Sequence, residues 1–321
     1  VAKILSAVFE AIFSGSSYGY RPGRTAHQAL NGLGWCICTR RVSYVFEADI
    51  RGYFDHISHK WLMEMVKQRV ADPVILRLIG KWLKAGVMEH GVVVRSDEGT
   101  PQGGPISPIL ANIYLHYVLD LWFHKVCHKR FMGEAYLIRF ADDFVVCFQY
   151  RQDAETFRQA IEARMHKFGL ELAEEKTRLF EFGRYAAAQA AKRGEKPETF
   201  DFLGFRHVCG KNRHGKFVLV RLPSVKSCRK FLRGTKDWLK KNQHAPVRLQ
   251  QKKLKRKLEG FYQYFALHHC IEKLSKVVNE VRWQWFKALR RRSQNAKISW
   301  SYLGNRKWFQ LPNPRLLHPK V

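Results

Sequence analysis

The sequence is poor in acidic residues, in paired cysteines and in long apolar runs. Only 27 Asp and Glu residues stand against 57 Lys and Arg residues, which gives a net charge of +30. A chain with this balance repels itself unless it binds a polyanion. Nucleic acid is therefore the expected partner, and an anionic membrane surface is the weaker alternative. The apolar runs are too short for the roughly 20 residues of a membrane-spanning helix. Because nucleic acid is favoured over a membrane surface, no membrane partner is expected.

The seven cysteines are odd in number and include no Cys-x-x-Cys pair. This pattern is typical of reduced thiols in a cytoplasmic protein, and it argues against a disulfide framework or a zinc site. The chain begins at Val1 in the middle of an apolar pattern. We therefore expect that an N-terminal part is missing.

Two adjacent carboxylates, Asp142 and Asp143, lie between two β-branched and aromatic segments, 136–140 and 144–148. The pattern predicts a tight hairpin with both acids at its turn. Taken alone, an Asp-Asp pair is more often an ordinary turn than a catalytic site. A third acid, Asp49, ends another predicted strand. Together the three supply the oxygen ligands that two-metal phosphoryl transfer requires.

The order of predicted elements indicates an α+β fold with helices packed on a largely antiparallel sheet. The alanine-rich and then charged segment 183–199 is predicted to be a mobile connector. After Pro223 the pattern changes to basic helices, so we predict two domains, residues 1–222 and 223–321. The basic helices are predicted over 225–241, 247–267 and 271–292.

Six segments occur in the order and spacing of a known family. They are SYGYRPGRTAHQAL, EADIRGYFDHI, GTPQGGPISPILANIYL, YLIRFADDFVV, EEKTRLFEFG and ETFDFLGF. By these segments the chain resembles the bacterial group II intron reverse transcriptases nearly from end to end. Its tail is similar to the C-type subgroup, which lacks a nuclease domain. The resemblance implies a right-hand polymerase with fingers, palm and helical thumb. It also implies RNA-templated DNA synthesis and assistance to the splicing and mobility of an intron RNA.

The resemblance further implies a set of metal ligands and a sugar-selecting residue. Asp49, Asp142 and Asp143, together with the backbone carbonyl of Ile50, would hold two Mg²⁺ ions, or Mn²⁺ in their place. Phe54 lies where the family has a bulky ring that clashes with a ribose 2′-OH. The implied partners are an RNA template with a DNA primer, deoxynucleoside triphosphates and structured intron RNA.

Other residues are implied to contact the substrates. Gln102, in a glycine- and proline-rich loop, would contact the nascent base pair, and Lys176 would lie near the active site. Arg21 and Arg24 would approach the nucleic-acid backbone or brace the fingers, and the sequence leaves both roles open. A cationic run is predicted to contact the RNA backbone. It consists of Lys252, Lys253, Lys255 and Arg256.

Two departures from the family pattern define the alternatives. Phe140 replaces the tyrosine that usually begins the hairpin, which keeps the ring, and we expect activity to tolerate the change. The two most N-terminal blocks of the family, which carry basic residues that clamp the triphosphate, do not occur in the sequence. One alternative is a non-catalytic RNA-binding splicing factor, which the intact carboxylates argue against and the missing N-terminal blocks argue for. The other is a host-adopted reverse transcriptase with a defence role.

Overall fold

The computed structural model describes residues 1–84, 87–89, 92–94, 98–100, 104–292, 299–304 and 306–318. The chain divides into two compact units. The first unit contains Val1–Glu198 and Cys209–Leu219, and the second contains Thr199–Val208 and Val220–Val321. The predicted domain boundary after residue 222 stays a prediction.

Antiparallel strands form the centre of the first unit. They are β1 (Tyr44–Ala48), β2 (Val87–Glu89), β3 (Val92–Val94), β4 (Ala135–Phe140), β5 (Asp143–Phe148) and β6 (Arg178–Glu181). Four of them pair in the order β4-β5-β1-β6, while β2 pairs with β3 in a separate hairpin. The strands of the larger sheet are rich in aromatic and β-branched residues, which favour extended backbone.

Helices surround this sheet. They are α1 (Ala2–Glu10), α2 (Ala26–Thr39), α3 (His59–Lys67), α4 (Pro73–Lys84), α5 (Ser107–Leu115), α6 (Arg151–Lys167) and α7 (Arg184–Lys192). After α5 the helical path continues through wide π turns at His116–Asp120 and Phe123–Cys127.

Aromatic packing fixes α6 against the sheet. Phe157 of α6 lies with its ring centroid 5.5 Å from that of Phe46 in β1 and 5.5 Å from that of Phe148 in β5. All three side chains are buried. Burial of such large rings contributes most of the packing energy of a core. This packing fixes the positions of β1 and β5. It therefore also fixes the edge of the sheet at which the acidic residues lie.

The chain after residue 198 contains three further strands and a set of helices. These are β7 (Thr199–Phe202), β8 (Phe205–Lys211), β9 (Phe217–Pro223), α8 (Val225–Lys241), α9 (Val247–Phe265), α10 (Ile271–Arg290) and α11 (Trp300–Gly304). The fully buried Trp285 of α10 donates from Nε1 to Gln250 Oε1 of α9 at 2.8 Å and stacks on Phe309 at 4.8 Å. This contact joins the long helices to the C-terminal segment.

The predicted basic helices are confirmed to within two residues at their C-terminal ends. The predicted connector at 183–199 is wrong, because Arg184–Lys192 forms α7. Alanine is the strongest helix former, and Ala186 and Ala190 bury their methyl groups on one face of α7. In the part of the chain that the structure describes, no helix combines the length and apolarity needed to cross a bilayer.

Candidate active site

Three acidic residues meet at one edge of the four-stranded sheet. Asp49 directly follows β1, while Asp142 and Asp143 lie where β4 turns into β5. β1 pairs with β5 so that Ala48 lies opposite Phe144. Because these paired positions adjoin the acids, the register brings Asp49 beside the turn. The sheet therefore explains how residues distant in sequence form one cluster.

Burial and neighbouring negative charge disfavour the ionisation of Asp142 and Asp143. Burial and then the charge of Asp49 raise the pKa of Asp142 above its ordinary value. Burial, followed by the charges of Asp142 and Asp49, raises the pKa of Asp143 to about 6. A nearby positive charge would favour the ionised forms. The cluster therefore has the electrostatic character of a site for a cation.

Lys176 places its ammonium group against this cluster. Its Nζ donates a hydrogen bond to Asp49 Oδ2, and this bond raises the pKa of Lys176. The backbone supports the contact, because Ala173 N donates to the Asp49 carbonyl oxygen at 2.9 Å. Lys176 then follows in the short 3₁₀ turn Glu174–Lys176. The lysine is therefore charged at neutral pH and held beside Asp49 by local backbone structure.

A cavity of about 360 Å³ opens beside the acids. Its lining includes most of the residues that the resemblance implicated in the first unit, namely Asp49, Ile50, Phe54, Asp142 and Lys176. The half-buried Phe54 packs edge-on against Tyr20, with ring centroids 6.4 Å apart. Its carbonyl oxygen accepts from Thr100 N at 2.8 Å. This bond attaches the start of the glycine-rich loop to the same wall, although Gln102 itself lies outside the described residues.

The donor set fits a hard divalent cation. Asp49, Asp142 and Asp143 offer carboxylate oxygens of the kind that Mg²⁺ prefers, and repulsion among them would fall when a cation bound. Across the described ranges, no three His, Cys, Asp or Glu side chains already converge as ligands. The Lys176 ammonium group is paired with Asp49. A metal at this site would therefore compete with Lys176 for that carboxylate.

The two arginines of the N-terminal loop lie in different environments. Arg21 is buried, and its guanidinium pairs with Glu10 at 2.8 Å and donates to the carbonyl oxygens of Ser14 at 2.5 Å and Ser17 at 2.6 Å. Its side chain is committed to the protein, which favours the bracing role. Arg24 is exposed and lies over the Tyr18 ring at 5.6 Å. Contact of Arg24 with nucleic acid stays a prediction.

Sequence reasoning did not single out Arg139 and Asp120, which form a buried ion pair adjoining the acidic turn. Arg139 donates from Nε and Nη2 to the two carboxylate oxygens of Asp120 at 2.8 and 2.6 Å. Burial opposes ionisation of Asp120, but Arg139 overcomes it and holds the pKa of Asp120 at about 2. The available signal was an arginine in an apolar strand and an aspartate in an apolar helical segment. Each needs a buried partner.

The second unit presents a strongly basic helix surface. Exposed cations on α9 alternate with the buried Leu254 and Leu258. Burial and then the charge of Lys253, one turn earlier on the same helix, lower the pKa of Lys257. We call the exposed set the cationic face of α9, and it consists of Lys252, Lys253, Lys255 and Arg256.

A sequence model of the family described as "Reverse transcriptase (RNA-dependent DNA polymerase)" matches residues 1–207. This chain belongs to the reverse transcriptase family. The matched range contains the whole acidic cluster, Phe54 and Lys176. Membership of the family confirms that the six segments are those of a reverse transcriptase, and reverse transcriptase family polymerases generally use divalent metal ions. The roles of the individual site residues stay predictions.

Similar proteins include intron-encoded ones. The group II intron-encoded protein LtrA of Lactococcus lactis subsp. cremoris is 39% identical over 132 residues, which cover 38% of this chain and 20% of that protein. Protein YkfC of Escherichia coli (strain K12) is 34% identical over 132 residues, covering 40% of this chain and 33% of that protein. The matches thus span a fifth to a third of the length of these relatives.

The fold is also found in a solved polymerase. A structure of telomerase from Candida tropicalis in complex with a TWJ fragment of telomeric RNA matches with a TM-score of 0.50 and 11% identity. The match covers 91% of this chain and 54% of that chain. At this identity the likeness shows the fold alone. It confirms the predicted α+β polymerase architecture with an antiparallel sheet.

Proposed function

We propose that this chain carries the catalytic centre of an RNA-directed DNA polymerase of the group II intron type. The observation that carries the proposal is the meeting of Asp49, Asp142 and Asp143 at one sheet edge of a reverse transcriptase family chain. The similarity to a group II intron-encoded protein supports the intron setting. The bacterial origin of that relative supports a bacterial cytoplasmic location.

The acidic cluster would hold two Mg²⁺ or Mn²⁺ ions, which when bound activate the primer 3′ hydroxyl and stabilise the departing pyrophosphate. Asp49 and Ile50 follow directly after β1, so the strand would fix these two metal ligands relative to the adjoining cavity. Lys176 brings a charged ammonium group to the same cavity. There it would bind the triphosphate and offset negative charge that develops as pyrophosphate leaves.

Phe54 is proposed to select deoxynucleotides. Its ring lines the cavity beside Asp49 and is supported edge-on by Tyr20. A ribose 2′-OH beneath such a ring would clash with it. Phe54→Ala is therefore expected to reduce discrimination against ribonucleotides by about 10- to 100-fold. Single-nucleotide incorporation kinetics with matched dNTP and rNTP pairs measure this ratio, and an unchanged ratio would contradict the assignment.

The proposed macromolecular partners are an RNA template with a DNA primer and the structured RNA of an intron. The net charge of +30 and the cationic face of α9 support a polyanionic partner. Phosphate contacts of this kind release counterions, so binding should weaken steeply as salt rises. Assistance to splicing would follow from binding of intron RNA, which proteins recognise largely by shape and by unpaired loops.

Primer extension on an RNA template tests the catalytic proposal. Wild type should extend a DNA primer only when Mg²⁺ or Mn²⁺ is present, while Asp142→Asn and Asp143→Asn should lose nearly all extension. Asp72→Asn is the matched control. It makes the same chemical change at the exposed N-terminus of α4, where Asp72 Oδ1 accepts from Val74 N at 2.7 Å. Asparagine caps a helix equally well, so this variant should extend primers at the wild-type rate.

The outcome separates the alternatives. Extension that survives both active-site substitutions would refute the assigned catalytic centre. A wild type that binds RNA and supports splicing without extending primers would favour the non-catalytic splicing factor. Both measurements use the full chain, with folding monitored by thermal melting.

A further inference from the structure

An arginine with no direct part in the proposed chemistry lies at the centre of the turn that carries Asp142 and Asp143. Arg139 belongs to β4 and is fully buried, as is its partner Asp120. The two side chains form a bidentate pair with distances of 2.8 and 2.6 Å. Asp120 itself sits in the wide π turn His116–Asp120 that follows α5. Irregular turns of this kind are frequent at functional sites.

The remaining guanidinium donors of Arg139 point to the turn and to a neighbouring helix. Nη1 donates to the Ala141 carbonyl oxygen at 2.9 Å and to Asn112 Oδ1 of α5 at 3.1 Å. Ala141 has a φ of 58°, in the left-handed region that non-glycine residues rarely adopt. Its carbonyl group immediately precedes Asp142. The arginine thus holds the backbone at the residue whose conformation directs the two carboxylates.

A second clamp joins the same turn to the loop that contains Gly19. Asn112 Nδ2 donates to the Gly19 carbonyl oxygen at 2.6 Å, and Tyr18 N donates to the Arg139 carbonyl oxygen at 2.9 Å. A Cβ atom on Gly19 would collide with the backbone nitrogen of Ala141. The glycine therefore permits a close approach that no other residue allows. Asn112 joins both clamps, because it contacts Arg139 and Gly19.

We propose that Arg139, Asp120 and Asn112 are positioning residues that hold the Ala141 turn and thereby set the spacing of Asp142 and Asp143 from Asp49. The inference rests on the proposed polymerase function of this cluster and adds residues outside the metal ligands. None of the three lines the cavity beside the acids. They act on the ligands through the backbone of the turn.

Stability alone does not account for this network. A buried ion pair is often no more stabilising than apolar residues of similar volume. What the guanidinium supplies is a fixed fork that bonds a carboxylate, an amide oxygen and a backbone carbonyl at defined angles. Partners behind a metal site typically change metal affinity or activity 10- to 100-fold when altered. The network has the form of such a support.

Arg139→Lys tests the inference because it keeps the charge next to Asp120 and removes the fork. Arg282→Lys is the matched control. The Arg282 guanidinium also donates to two amide oxygens and a backbone carbonyl, those of Asn279 at 2.9 Å, Asn313 at 2.9 Å and Leu311 at 3.2 Å. None of these belongs to the Ala141 turn or to the π turn His116–Asp120. Arg139→Lys is expected to raise the Mg²⁺ concentration for half-maximal primer extension by about 10- to 100-fold. Primer–template affinity should not change. Arg282→Lys should leave the metal dependence at the wild-type value.

A second variant guards against failure to fold. Gly19→Ala leaves every buried charge in place, and its added methyl group would displace the Ala141 turn. It should therefore shift the metal dependence in the same direction. Thermal melting reports the folding of each variant. If the folded Arg139→Lys, or Gly19→Ala in its place, keeps the wild-type metal dependence, the inference is overturned.

Direct titration with Mn²⁺ distinguishes this inference from the proposed function. If wild type binds Mn²⁺ more tightly than Asp142→Asn does but extends no primer, the polymerase proposal fails. The positioning role is then supported by weaker Mn²⁺ binding to Arg139→Lys. If wild type binds Mn²⁺ no better than Asp142→Asn does, both fail.

Discussion

Asp143→Asn is expected to stabilise the protein in the absence of divalent metal, because it removes a carboxylate whose ionisation is disfavoured by burial and by the charges of Asp142 and Asp49. In the folded protein the pKa of Asp143 is raised from 3.8 to about 6, first by burial and then by Asp142 and Asp49. The unfolded chain therefore releases this proton at a lower pH than the folded chain does. Stability from this group is fully present below the unfolded pKa, falls as pH rises from about 4 to about 6, and is lost above that.

The size of the effect follows from the difference between the two pKa values. The rise from 3.8 to about 6 corresponds to about 3 kcal/mol, at 1.36 kcal/mol for each pH unit. Asp143 reaches solvent at the surface of the site, so water lowers the cost of ionising it, and water and salt screen its repulsion by Asp142 and Asp49. We expect the measured effect on the free energy of unfolding to be about 1 kcal/mol.

Urea unfolding in EDTA is the assay. The free energy of unfolding of Asp143→Asn, minus that of wild type, should increase by about 1 kcal/mol between about pH 4 and pH 7.5. Asp72→Asn should show no such increase, because its carboxylate lies outside the cluster. Saturating Mg²⁺ should remove or reverse this difference in the free energy of unfolding, because wild type keeps a carboxylate ligand for the ion that the variant lacks. A difference that stays constant with pH in EDTA would refute the electrostatic reasoning.

Three further substitutions test other parts of the chain. Lys176→Met should slow single-turnover primer extension by about 10- to 100-fold. It should change the free energy of unfolding by less than about 1 kcal/mol, because the lysine is exposed. An unchanged rate would exclude a role of Lys176 in the reaction. Replacing the cationic face of α9 by Gln should reduce the salt dependence of RNA affinity by about 0.9 in log–log slope for each RNA phosphate that the protein no longer neutralises; filter binding at increasing KCl measures it, and an unchanged slope would place RNA elsewhere. Trp285→Phe leaves Gln250 Oε1 without its 2.8 Å donor and should lower the free energy of unfolding by about 1–3 kcal/mol in a urea titration; an unchanged free energy would show that the hydrogen bond is not stabilising.

Elements with strong local signals were predictable from sequence. The hairpin around Asp142 combines residues that favour extended backbone with acids that favour a turn. Helices α8 to α10 combine helical periodicity with charge. These local signals were sufficient to identify the elements. The segment at 183–199 misled because alanines followed by charges also occur in linkers. Its helix α7 forms because Ala186 and Ala190 find a surface on which to pack, and sequence contains no direct record of that surface.

The ligand set of the candidate site was predictable in part, whereas its support was not. Asp49 and Asp142 are marked by type and by position at strand ends, and the register that joins them follows once β1 pairs with β5. The pairing of Arg139 with Asp120 depends on a tertiary contact between a strand and an irregular helical turn. No periodicity encodes such a contact. Only the presence of two charges in apolar segments signalled that each required a partner.

The turn that carries Asp142 and Asp143 must bring carboxylates close together although their charges repel one another. The contacts around the turn explain how it does so. Chemistry requires the carboxylates of Asp142 and Asp143 to be close to Asp49, which raises their free energy whenever no cation is bound. Repulsion between the carboxylates would favour a more open turn if only the two strands of the hairpin held it. The buried guanidinium of Arg139 donates to the Ala141 carbonyl oxygen, and Gly19 lies close against the Ala141 backbone nitrogen. These contacts restrict the backbone of the turn before metal binds, so that metal binding has only the carboxylate side chains to arrange, and a supported backbone of this kind is what a pre-organised site requires.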